Sequence, residues 1–229
     1  MKKLSVSMTK IETILGWIYL PLQLLIIPAL IVLVNLLLGS PLSDAEVNFV
    51  FFCINFICIT GIFWRFLRDS AKVALKNPFR CLQGAFFGFV LYWLLNIALG
   101  YIIMLLYPAF YNVNDSSIDA LVQENSVLMT FGTVLLVPIA EEVLYRGLIF
   151  RGLYNRSRIA AYTVSAAAFA ALHVVGYIGF YEPLHLLLCF MQYLPAGLCL
   201  GWAYARADSI CAPILIHITV NQLGILSMG

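Results

Sequence analysis

Glu141 and Glu142 stand side by side in a stretch that is otherwise apolar, Val134-Leu135-Leu136-Val137-Pro138-Ile139-Ala140 before them and Val143-Leu144-Tyr145 after them, with Arg146 closing the run. A charged side chain at the centre of a membrane helix costs roughly 2.5–3.5 kcal/mol even on lenient insertion scales, so charges at such depth are paired, wet or functional. Few other polar residues lie in apolar segments. Phe169-Ala170-Ala171-Leu172-His173 and His217-Ile218-Thr219-Val220-Asn221 each hold their end residues four apart, on one helix face.

The two glutamates differ in their neighbours. Glu142 and Arg146 form an i,i+4 pair with the acid on the N-terminal side, the favourable orientation for an ion pair. Glu141 is rotated by about 100° from Glu142 and is freer to face the histidines. Chemistry therefore falls to Glu141 and support to Glu142 and Arg146. A positioned Glu takes a proton from water and returns it to a leaving amine. A His can orient that water or share its proton, and a His with an Asn can donate to a developing oxyanion. This set describes amide hydrolysis by activated water, without a Ser or Cys nucleophile. Two His and a Glu would also suit zinc, although no His-Glu-x-x-His is present and the histidines lie on different segments. The competing structural reading is an ion-pair staple with hydrogen-bonded packing histidines. His185 and Gln192 are read in that packing role.

Composition dictates what must hold these residues. The chain is 63% hydrophobic and 10% charged, against about 25% charged in a soluble domain. Apolar runs over 13–38, 47–67, 82–107, 126–152, 159–178, 184–204 and 209–227 reach the ~20 residues that cross a bilayer. The reading is an all-α polytopic bundle of about seven spans, or eight helices, forming one integral membrane domain over 1–229. At 1.5 Å rise per residue, Glu141 lies about 22 Å from Arg156, His173 about 22 Å from Arg158 and His217 about 16 Å from Arg206. Three helices thus bring polar groups to comparable depth, which suggests one wet cavity.

Charge placement sets the topology. Lys2, Lys3 and Lys10 precede the first run; Arg65, Arg68, Lys72, Lys76 and Arg80 fall between the second and third. Arg146, Arg151, Arg156 and Arg158 lie at the end of the fourth and in its connection to the fifth, and Arg206 separates the last two. The alternate connections carry only Asp44, Glu46, Asp115, Asp119, Glu124 and Glu182. The positive-inside rule then puts the N-terminus in the cytoplasm and the C-terminus outside. The net charge of +2 reflects this topology, and no nucleic-acid motif is present. The first apolar run is too long for a signal-peptide core of about 7–15 residues and reads as an anchor. The six cysteines form no Cys-x-x-Cys pair and read as small packing hydrophobes.

Connections and breakers complete the outline. Residues 68–81 read either as an amphipathic turn or two on the inner leaflet or as a solvated charged loop. Residues 108–125 read as an outer loop with turn chemistry. Pro21, Pro28, Pro138 and Pro195 interrupt their helices and release carbonyls that neighbours or water must satisfy. Gly197 and Gly201, four apart, offer a close-packing face.

Glu-Glu-x-x-x-Arg (141–146), Phe-x-x-x-His (169–173) and His-x-x-x-Asn (217–221), in that order, resemble the CAAX protease and bacteriocin-processing (CPBP, or Abi) family, which includes the Ras-converting prenyl-protein endopeptidases. The resemblance covers about 80–227 and leaves the spans in 13–67 as additions. It implies an intramembrane glutamic endopeptidase with a cavity open to the cytoplasm and no metal cofactor. Carried over, Glu141 is the base, His173 helps hold the water, and His217 with Asn221 forms the oxyanion site. Glu142, Arg146 and Phe169 support them. The implied partner is a membrane-associated peptide or protein. The small size resembles bacterial members, hence a bacterial inner-membrane location. The alternatives are a non-catalytic immunity or partner-binding membrane protein of the same fold, a zinc-dependent version of the protease, or a small proton-coupled transporter.

Overall fold

Helix starts follow local chemistry. Thr9 and Glu12 form a reciprocal capping box at the start of α1 (Lys10–Leu37), and Ser43 with Glu46 repeats it at α2 (Asp44–Ile62). Each box satisfies two backbone N–H groups that a helix start leaves open. Side-chain oxygens of Asn125 and Ser157 cap α6 (Ser126–Tyr154) and α7 (Arg158–Val175). The remaining long helices are α4 (Pro78–Leu106), α8 (Pro183–Ala207) and α9 (Cys211–Met228). Shorter ones are α3 (Trp64–Lys76) and α5 (Val113–Glu124). The computed structural model describes residues 3–39 and 41–228. Lys2, counted above among the flanking cations, lies outside them.

Among the described residues seven helices are long and apolar enough to cross a membrane, and no strand is present. The chain is an integral multi-pass membrane protein. Large side chains such as Leu25, Leu36, Phe87 and Leu106 point outward from the bundle, as a lipid-facing surface requires. Half of the apolar window of α6 is buried, against 6% for α1 and α4. α6 is therefore the central helix, and it carries both glutamates.

Two connections differ from expectation. Residues 108–125 are not mainly loop, because Asn112 Oδ1 accepts from the N–H groups of Asn114 and Asp115 and starts α5. A side-chain cap of this kind turns polar turn chemistry into a helix start. Of the two readings for 68–81, the charged loop is replaced by α3, which already begins at Trp64. Its buried face holds Phe66 and Ser70, and Glu12 Oε1 accepts from Phe66 N–H at 2.9 Å.

The two ends of the bundle are chemically distinct. At one end, Arg151 donates to the carbonyls of Val6 and Leu4, Arg80 donates to Arg206 O at 2.7 Å, and Ser70 meets Ser209. At the other, Ala45 N–H reaches Glu124 and Gln123 reaches Met228 O. Arg146 belongs to neither end. It is fully buried inside α6, which corrects its place among the flanking cations: its i,i+4 partner holds it in the helix interior.

α7 and α8 pack at near contact through Gly197. A Cβ there would lie 2.6 Å from Ala166 Cα, whereas one at Gly100 would meet nothing within 4 Å. Gly197→Ala is expected to lower thermal stability in detergent by about 1–3 kcal/mol, with Gly100→Ala unchanged. Equal melting temperatures for both variants would contradict this packing.

Candidate active site

The winding of α6 sets the site. Residues Gly132–Leu136 and Val143–Phe150 are wound wider than an α-helix, with i→i+5 hydrogen bonds. Such widenings shift side-chain angles and recur at functional sites. Between them, Val137–Glu142 is a short α-helical segment with Pro138 near its start. Val137 N–H bonds Gly132 O, five residues back, and Pro138 has no N–H to give. The Thr133 carbonyl is thereby left without a partner in its own helix. Asn221 Nδ2 of α9 donates to it at 2.8 Å. Ser165 of α7 does the same for Tyr145 O, also at 2.8 Å.

Glu142 and Arg146 are both 0% exposed and their ion pair forms, Nη1 to Oε1, at 3.2 Å. Arginine does not deprotonate in proteins, so the sealed guanidinium needs further partners. It donates through Nη2 to Gly197 O at 3.4 Å and lies 4.3 Å above the Phe169 ring centre. The aromatic face attracts it electrostatically. Phe169 is buried between Arg146, Tyr145, His173 and His217.

Glu142 has a second partner that i,i+4 spacing did not reveal. His217 Nδ1 lies 2.9 Å from Glu142 Oε1. A carboxylate paired to arginine only accepts, so Nδ1 carries the proton and donates. His217 Nε2 is thereby turned toward Glu141, with 3.9 Å between it and Oε2. That is beyond direct hydrogen-bonding distance, the spacing at which an intervening group should be considered. Glu141 Oε2 is buried and makes no protein hydrogen bond.

His173 is also fixed in tautomer. Its Nδ1 donates to Phe169 O at 2.9 Å, so in the neutral ring Nε2 is an acceptor. The ring stacks on Tyr193 at 4.1 Å between centres. Tyr193 OH donates to Asp115 at 2.7 Å, which joins α8 to α5. Sequence reading missed Tyr193. A tyrosine two residues before Pro195 in an apolar helix gives no period or charge signal. Gln192 bridges to Asn112 and His185 to Tyr111 O, matching their expected packing roles.

Glu141, His173, His217 and Asn221 all line one cavity of about 730 Å³. Three of the remaining residues, Glu142, Arg146 and Phe169, lie behind it and do not reach its surface. The cavity runs from Glu141 past Asn96 and Tyr193 to α5 and the last turns of α9. Among the described residues, no three His, Cys, Asp or Glu side chains converge to hold a metal ion.

Residues 123–223 match the Rce1-like family of type II CAAX prenyl endopeptidases. Its bounds enclose every polar residue of the site. The chain is also similar to the UPF0177 protein YxdF of Lactococcus lactis subsp. lactis (strain IL1403), with 28% identity over 90 residues, 39% of this chain and 44% of that protein. It thus spans under half the length of this curated relative. No solved structure matches the chain.

The Thr133 contact separates structural from chemical effects at Asn221. Asn221→Leu leaves a buried carbonyl unpaired and is expected to cost about 1–3 kcal/mol. Adding Pro138→Ala supplies an N–H one widened turn from Thr133 O and should recover most of that loss in detergent unfolding. A double variant no more stable than Asn221→Leu alone would break the link.

Proposed function

We propose that the protein is an intramembrane endopeptidase of the CAAX-protease type, in which Glu141 activates the attacking water. The observation that carries this reading is the arrangement around Glu141 Oε2. This buried carboxylate oxygen has no protein partner and faces His217 Nε2 across 3.9 Å in a cavity that also holds His173 and Asn221. The family match over 123–223 supports the same reaction class.

In the proposed reaction, water sits against Glu141, and the His173 Nε2 lone pair accepts its second hydrogen. Glu141 takes a proton as the water oxygen bonds to the scissile carbonyl carbon. The displaced electron pair moves to the carbonyl oxygen. His217, protonated on both nitrogens between the two carboxylates, donates from Nε2 to that oxyanion. Asn221 Nδ2 has two hydrogens; one is held by Thr133 O, and the other is available to the oxyanion. Collapse of the tetrahedral adduct breaks the C–N bond, and Glu141 passes its proton to the departing nitrogen. The products are a carboxylic acid and an amine. Glu142 serves as positioning residue: its Oε1 accepts from His217 Nδ1–H and is itself held by Arg146. No metal enters the scheme.

Purified protein in detergent micelles should cleave a quenched fluorescent membrane peptide, and Glu141→Gln should lower the rate by about 10²–10⁴-fold while the melting temperature stays near that of the wild type. Turnover should persist after exhaustive chelation. Wild-type rates from Glu141→Gln would remove Glu141 from the mechanism and favour a binding or immunity role. Chelator-sensitive turnover restored by zinc would replace the water-activation scheme.

A further inference from the structure

The two ends of the bundle hold opposite charge, and the cavity opens at only one of them. Around the N-terminal segment, α3, the α6–α7 connection and the α8–α9 turn lie Lys3, Lys10, Lys72 and Lys76 with Arg65, Arg68, Arg80, Arg151, Arg156, Arg158 and Arg206; the acids there are Glu12, Asp69 and Asp208. Among the described residues the opposite end carries Asp44, Glu46, Asp115, Asp119, Glu124 and Glu182 and no Lys or Arg. An excess of Lys and Arg in short connections marks the cytoplasmic side. Removing Arg146 from the count leaves this asymmetry intact.

The cavity that contains Glu141 is lined by Asn48 in the first turns of α2, by Asn112, Asp115 and Ser117 beside and within α5, and by Ser227 and Met228 at the end of α9. All lie at the acidic end. No residue of the basic end lines it. We infer that the site opens away from the cytoplasm and that its substrate is a membrane-anchored peptide segment presented at the extracytoplasmic face. This departs from the cytoplasmic opening implied by the family resemblance, and it rests on the endopeptidase reading for the word substrate alone. The opening itself follows from charge and cavity.

The lining also selects by charge. Its acidic members are Asp115 and Glu141, its histidines are His173 and His217, and the rest of its polar surface is mostly amide and hydroxyl, including Asn96, Gln192 and Asn221. The Arg146 guanidinium is sealed behind Phe169 and held by Glu142, and His217 lies between Glu141 and Glu142. Amide groups pair with an extended peptide backbone. An anionic segment, including one ending in its own carboxylate beside the scissile bond, finds there only a histidine already held between two carboxylates. The structure therefore assigns neutral or Lys- and Arg-bearing segments as substrates and an internal bond as the one cut.

Two measurements test this separately from catalysis. Ser116→Cys, exposed on α5, and Asn77→Cys, exposed between α3 and α4, are labelled in intact cells with a membrane-impermeant maleimide, with the parent chain setting the background. Ser116→Cys should label without permeabilisation and Asn77→Cys only after it; the reverse pattern overturns the outward opening whether or not the protein cleaves anything. In proteoliposomes sorted by the same labelling, lipid-anchored peptides added outside should be cut where Ser116 faces them. Lys-flanked peptides should be cut at least about tenfold faster than Glu-flanked ones at low salt. Cleavage confined to the opposite orientation, or an equal rate on Glu-flanked peptides, overturns the substrate assignment. If neither orientation cleaves while detergent-solubilised protein does, presentation from the outer leaflet is wrong. If detergent-solubilised protein is inactive as well, the endopeptidase reading fails and the substrate claim falls with it, while the labelling still decides the opening.

Discussion

A guanidinium sealed from water at the centre of the bundle constrains everything around it. Arg146 is 0% exposed and keeps its charge, so the fold must surround it with negative or electron-rich groups. Breaking such a buried pair by removing one partner typically costs about 3–5 kcal/mol, because the survivor is left uncompensated. The three groups that meet it come from three helices: Glu142 from α6 itself, the Phe169 ring from α7 and the Gly197 carbonyl from α8. Each imposes its own condition. The carbonyl can approach only because residue 197 has no side chain to hold α8 off Ala166. Phe169 must present its face, and it then sits edge-on to Tyr145 and His217.

The same ion pair reaches the cavity through Glu142. Its Oε1 takes a proton donor from Arg146 on one side and from His217 Nδ1 on the other. A charge needed to neutralise an arginine thereby decides which nitrogen of a histidine faces Glu141. The buried ion pair and the cavity wall are consequently one network, in which Arg146 and His217 meet through a single carboxylate. The widened winding of α6 adds a second linkage. The Thr133 carbonyl released by Pro138 is taken by Asn221, and Ser165 donates to Tyr145 O within the widened stretch, so side chains of α9 and α7 are joined to the α6 backbone. In hydrocarbon, where water cannot satisfy a stray carbonyl, such contacts hold helices in register.

Solvent access is as one-sided as the charge. Toward the basic end the bundle is closed by a core of large apolar side chains, among them Phe66, Phe150 and Tyr204. Toward the acidic end lies the cavity, lined in part by α5, which is held to α8 by Tyr193 and Gln192. Tyr193 also stacks on His173. One side chain thus links α5 to His173.

Much of this was legible before any coordinates. Apolar runs longer than the bilayer needs give the number of candidate spans, and the Lys and Arg pattern separates a basic end from an acidic one, because both depend on composition and order alone. The Glu142–Arg146 pair follows from helical spacing, and the motifs on 141–146, 169–173 and 217–221 point to their family without a fold. Contacts between helices carry no such local signature. That His217 bonds Glu142, that Asn221 answers a carbonyl released by Pro138, that Tyr193 backs His173 and that residues 113–124 form a helix over the mouth depend on how the spans pack. The direction in which the cavity opens belongs there as well. Sequence sets which residues are expensive to bury; only the packed bundle decides which partner each one finds and on which side water reaches them.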